Sequence, residues 1–225
     1  PLLDEPELVD SGRLEIRVAG QVIGSERFQV KRRHDTLTTT SSGESFIERE
    51  GAVKFRAELV HRLDWTVEHG RFEIDAGTHH CVKTLERRGG QVDGHQVIDG
   101  ADLDLSSEPI EHARYFYGMQ PASMQLAACA LAGADAVSLT YYPGFTAELG
   151  PRQDATFASA PGKKLARVRV DDLIDVVCDG DRFLVLHYAQ HALTIARDGY
   201  QALAAELSAG DPTGEPWYGR MSCDR

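Results

Sequence analysis

Two segments of the chain set imidazoles into runs that are otherwise apolar on one side. In VKFRAELVHRLDWTVE (53–68) the odd positions carry Val53, Phe55, Ala57, Leu59, His61, Leu63, Trp65 and Val67, and most even positions are charged. RFLVLHYAQHALTIA (182–196) repeats the pattern with Phe183, Val185, His187, Ala189, His191, Leu193 and Ile195. Period-two alternation sends one set of side chains to one face of an extended strand. His61, Trp65, His187 and His191 are therefore expected on the side that should be dry. An imidazole with its ordinary pKa of about 6.5 suits two tasks there: a polar contact to a bound molecule, or general acid–base catalysis.

Metal binding is not expected from these spacings. Four strand residues span about 13 Å, whereas two nitrogens on one zinc each lie about 2.0–2.1 Å from it. HYAQH on a strand is thus not the two-histidine motif that the same letters make on a helix. In THHC (78–81) neighbouring side chains point to opposite faces, so at most His79 with Cys81, or His80 alone, aims at one centre. DDLID (171–175) has the letters of a magnesium-diphosphate motif but sits between strand-like segments. DGADLD (99–104) lacks the glycine and glutamate of a calcium loop and reads as a solvated acidic turn. No nucleophile elbow, zinc-protease helix, P-loop or dinucleotide glycine pattern occurs, and no cofactor is expected. Two aromatic clusters remain, Tyr115-Phe116-Tyr117 and Tyr141-Tyr142 with Phe145. At a cavity mouth, Tyr115 and Tyr142 would supply apolar walls with hydroxyl handles.

The elements that must position these residues are mainly β. RLEIRVAG (13–20) turns into VIGSERFQVKRR, and the Thr-rich 35–50 segment leads into the long alternating run. His69-Gly70-Arg71 and Gly89-Gly90 mark further short connections of an antiparallel meander. Pro109 and Pro121 stand where first-turn prolines of helices would. PASMQLAACALAGAD (121–135) is apolar all round and is expected to be a buried helix. Strands return over 136–198, with Asp179-Gly180-Asp181 as a hairpin turn, and GYQALAAELSAG (199–210) closes the chain with a helix. The expectation is a single α+β, mainly β domain over 1–225. It comprises a first meander (12–105), a helical insert (108–135), a second meander (136–198) and a helix with tail (199–225).

Two overlong strands cannot lie flat, because sheets twist and coil. They must curve, and curvature gives a concave face that helices or a ligand can fill. The long curving strands, the meander hairpin LEIRVAGQVIGSERFQV and the apolar helix between two β halves together resemble the bacterial lipoprotein-carrier (Lol-type) half-barrels and related uncharacterised periplasmic half-barrel families. The resemblance covers residues 12–198 as a pattern of elements. It implies an exported protein that holds acyl chains in its concavity.

Composition limits the partners. The formal charge is −11, with 42% apolar and 26% charged residues. Nucleic acid is not expected, since Lys31-Arg32-Arg33 and Arg87-Arg88 are short, turn-placed clusters rather than a basic patch. No apolar run approaches the roughly 18–20 residues of a membrane helix, and residues 1–12 do not read as a signal peptide. Cys81, Cys129, Cys178 and Cys223 are scattered and read as thiols, Cys129 and Cys178 buried, which favours the cytoplasm. A periplasmic or secreted location follows instead if a leader has been removed. The favoured reading is a protein that binds a hydrophobic or lipid-like small molecule at His61, Trp65, His187, His191, Tyr115 and Tyr142, as monomer or homodimer. The alternative is a small enzyme using the same histidines.

Overall fold

The computed structural model describes residues 5–47, 51–104, 108–109, 128–131, 138–141 and 145–209. The first meander is β1 (Glu7–Val18), β2 (Gln21–Arg33), β3 (Thr36–Ile47), β4 (Gly51–Arg62), β5 (Val67–Ala76), β6 (His79–Arg88), β7 (Gln91–Ile98) and β8 (Ala101–Asp104). The short β9 (Glu108–Pro109) follows, then the hairpin β10 (Ser138–Tyr141) and β11 (Phe145–Glu148). The second meander is β12 (Gln153–Ala155), β13 (Leu165–Val170), β14 (Ile174–Asp179), β15 (Arg182–Tyr188) and β16 (Leu193–Arg197), before helix α1 (Gln201–Leu207). All these strands except β10 and β11 share one antiparallel sheet, ordered β12-β13-β14-β15-β16-β1-β2-β3-β4-β5-β6-β7-β8, with β9 beside the start of β7. The two meanders are joined by β16 against β1, where Arg197 faces Leu14 and Leu193 faces Val18.

The sheet curls. A single cleft is lined by Asp179 and Arg182 of the β14–β15 hairpin and also by Leu37 of β3. In the sheet order β14 and β15 are five and four steps from β3, about 24 and 19 Å on a flat sheet. Only a curved sheet brings them to one cleft. Its inner face carries Leu14, Ile16, Val18, Phe28 and Val30, which join Val168, Val176, Phe183 and Leu186 and the helical turn 128–131 in one core. The outer face of β14–β16 is covered too: Leu203 and Ala204 of α1 pack on Val177, Leu184 and Ala196.

Both long ribbons are broken. The first stops at Arg62, and a tight turn over residues 63–65 reverses the chain towards β5. The Arg62 N–H donates to the Thr66 carbonyl (2.8 Å) and the Trp65 N–H to the Arg62 carbonyl (3.0 Å). Trp65 takes φ +64°, the left-handed position that normally goes to glycine in such a three-residue loop. The second ribbon stops at Tyr188. A 3-10 turn, Ala189–His191, and left-handed Ala192 return it as β16. Alternation therefore continued in the letters where it ended in the backbone.

Two further expectations are corrected. Pro109 lies in β9, opposite Gln91, rather than in the first turn of a helix; of the 121–135 segment, only 128–131 falls among the described residues, and it is helical. Cys129 and Cys178 are not thiols: they form a disulfide that pins the helical turn to β14. Cys81 is a buried thiol, and Cys223 is outside the described residues. Among the described helices none is long and apolar enough to cross a membrane.

Candidate functional site

Strand register decides which side chains share the inner face. His61 stands directly opposite Leu37 on β3 and Val67 on β5. It follows Val53, Phe55, Ala57 and Leu59 along the buried face of β4. The turn at 63–65 folds Trp65 back over that end, so the two rings sit 5.5 Å apart, tilted by 50°. Asp64 shapes the turn by accepting the Thr66 N–H (3.0 Å). Glu68, the extra residue where register shifts between Val60 and His61, binds both Arg62 (2.7 Å) and Arg87 (2.6 Å) below it.

His61 is fully buried, and neither ring nitrogen has a hydrogen-bond partner among the described residues. Burial drives its pKa down to about 4, with nearby Asp64 opposing only in part. It is neutral at physiological pH. A buried polar group left unsatisfied costs about 1–3 kcal/mol, which the fold tolerates here.

In front of this pair opens a cleft of about 700 Å³. Its floor is Val30, Leu37 and Trp65, each less than a tenth exposed. Leu8, Val9 and Leu63 stand at its mouth at 55%, 53% and 44% exposure. Ala130 and Leu131 of the disulfide-anchored turn supply part of the wall, and Asp10, Asp179, Asp181 and Arg182 give it a charged rim. Asp10 is held from behind: Arg197, 3% exposed, grips it with both terminal nitrogens (2.6 and 2.9 Å), and Arg182 lies at 3.8 Å.

The second histidine pair is placed differently. A bulge between Val177 and Cys178 gives β15 an extra residue. Phe183 and Leu186 consequently face the inner core, while Leu184 and Val185 face α1. His187 alternates with Leu186 and so lies on the outer face with Val185. There its Nδ1 meets the Thr194 hydroxyl at 3.2 Å and its strand neighbour is Asp175. His191 has left the strand and packs edge-on against Tyr188 with centroids 4.5 Å apart. The expected convergence of His61, Trp65, His187 and His191 is thus corrected: the first two meet, and His187 is on the opposite face. No reacting group could be shared by His61 and His187 across the sheet. Tyr115 and Tyr142 lie outside the described residues.

Three further histidines are exposed carboxylate partners. His79 Nδ1 pairs with Asp99 (2.6 Å), His80 with Asp75 (2.7 Å) and His95 with Asp104 (3.1 Å). Hydrogen bonds to those carboxylates raise the pKa of His80 and His95. Among the described residues no group of three or more His, Cys, Asp or Glu side chains is arranged to hold a metal ion.

No family model matches the chain, and no curated protein matches it. Among solved structures the chain is similar to the crystal structure of a beta-barrel-like protein of domain of unknown function DUF1849 from Brucella abortus. The TM-score is 0.47 and the identity 9%, over 86% of this chain and 96% of that one.

Sequence reasoning missed several polar groups on the inner face. Glu26, Thr39, Ser41, Ser45 and Gln96 are all buried. By register they share that face with Leu14, Val30, Phe28, Val53 and Ile98 respectively. Parity alone could have found Glu26, two residues before Phe28 and four before Val30. Arg197 could not be found that way, because its role depends on Asp10 at the other end of the chain.

Proposed function

We propose that this protein binds a hydrophobic or lipid-like small molecule in the cleft over Trp65, on the concave face of the curved sheet. The observation that supports the reading is an opening of about 700 Å³ with an apolar floor and three half-exposed aliphatic side chains at its mouth. That volume lies within the range of small-molecule sites, and the mixture of apolar walls with few polar points is the usual one. Trp65 provides the largest flat surface. His61 is the polar group behind it, and Tyr115 and Tyr142 belong to the same proposal as further wall residues.

The disulfide supports a further part of the reading, an oxidising compartment outside the cytoplasm. The test is native mass spectrometry after gentle purification. A co-purifying apolar species, reduced in Trp65→Ala, is the expected result. A protein that emerges ligand-free and takes up no fatty acid or phospholipid would overturn the proposal.

A further inference from the structure

The outer face carries a row of side chains that ordinary sheet design avoids. Register places Arg13 of β1 directly opposite Arg27 of β2. Arg27 faces Ser42 of β3, and Ser42 faces Arg56 of β4. Like charges directly opposite each other destabilise a sheet, and this chain has carboxylates to spare at −11. Yet none of the three arginines has an ion-pair partner among the described residues. Glu73 stands directly opposite Arg56 and lines the same cleft, as does Asp75, but the close ion pairs of the nearby acids are with other groups: Glu15 with Arg17 (2.7 Å), Glu73 with Arg71 (2.7 Å) and Asp75 with His80 (2.7 Å). Glu44 and Asp198 also border this surface, but neither forms an ion pair with the row.

Two surface clefts of about 610 and 490 Å³ meet over the row and share Arg13, Arg27 and Ser42; Lys54 and Arg56 line the second. Arg27 and Arg56 flank Ser42 at one strand spacing on either side, about 4.8 Å each. Two arginines thus flank a serine along one cross-strand row, with a third arginine one strand further on. Planar guanidinium forks match tetrahedral oxyanions bidentately, and a serine hydroxyl can donate to the same group. Natural sequences break such local rules chiefly at functional sites.

We propose that Arg13, Arg27 and Arg56, with Ser42 between them, bind a phosphate-class oxyanion, free or as a monoester, on the convex face. The linear sequence hides this site because its cations come one or two at a time from three strands. It is separate from the Trp65 cleft and stands or falls independently of it.

Thermal melts of the full chain at constant ionic strength test the proposal. In sodium chloride, Arg27→Gln is expected to melt above the wild type, because the Arg13–Arg27 repulsion is gone. Adding inorganic phosphate is expected to raise the wild-type Tm saturably, since a ligand of the native state stabilises it. The same response in Arg27→Gln should need at least tenfold more phosphate. Vesicle co-sedimentation separates the sources. Binding that requires phosphatidic acid in phosphatidylcholine vesicles, and is competed by free phosphate, identifies a lipid headgroup. A phosphate response without vesicle binding identifies a soluble ester. A phosphate effect equal to that of chloride, or equal in wild type and Arg27→Gln, would overturn the site.

Discussion

Trp65 and His61 are each locally unfavourable and mutually explained. A bulky L-residue in the left-handed region costs about 1–2 kcal/mol, and Trp65 occupies it at φ +64°. The return is a buried indole that floors the cleft and closes off His61. His61 in turn makes stability depend on pH. Its folded pKa, about 4, is below the unfolded value near 6.5. The unfolded chain therefore binds the proton first, and stability falls as pH drops from 6.5 towards 4. The loss attributable to this group is on the order of 3 kcal/mol. Urea melts at pH 7 and pH 4.5 should show a steeper acid loss in wild type than in His61→Leu; equal losses would mean that the imidazole is hydrated or paired. His80 and His95 act in the opposite sense. Their raised pKa values give stability present in acid and lost as pH rises through them, but both are exposed and screened. The dry environment of His61 was legible in the sequence from its parity. The left-handed Trp65 was not, because no letter in LDWT announces a turn that glycine would usually make.

At the level of elements, the alternation of apolar residues gave the buried face of β4 correctly, but it gave the strand ends poorly and the faces of β15 wrongly. Residues 53–68 and 182–196 each keep their period across a reversal, since a turn of three or four residues can return the chain without interrupting the letters. The bulge in β15 is equally silent in sequence, yet it alone moves His187 to the outer face. What holds these hairpins in place is long-range. Arg197 at the end of β16 is 3% exposed and binds Asp10 near the start of β1, with its guanidinium over the Phe28 ring at 5.3 Å. Removing one partner of a buried ion pair strands the other, at about 3–5 kcal/mol. Asp10→Ala is expected to lower stability to urea by that amount, whereas a loss below about 1 kcal/mol, the worth of a surface pair, would show that the pair is solvated.

For the whole molecule, the mainly β, curved antiparallel architecture follows from the meander pattern, whereas the pairing of β16 with β1 is a long-range contact that no local pattern announces. The disulfide belongs to this scale as well. Scattered cysteines in a long chain gave no pairing signal, but Cys129 and Cys178 bridge 49 positions of sequence. Closing such a loop in the unfolded chain corresponds to about 4 kcal/mol. Cys178→Ser is expected to lose roughly that much and to loosen the wall formed by Ala130 and Leu131; an unchanged denaturation midpoint would contradict it. The direct test of the Trp65 cleft is fluorescence of a Trp217→Phe variant, in which Trp65 is the sole tryptophan, titrated with a bromine-labelled fatty acid. Saturable quenching is predicted, because the acyl chain should lie against the indole. Binding detected by calorimetry without quenching, or no binding at all, would contradict the account.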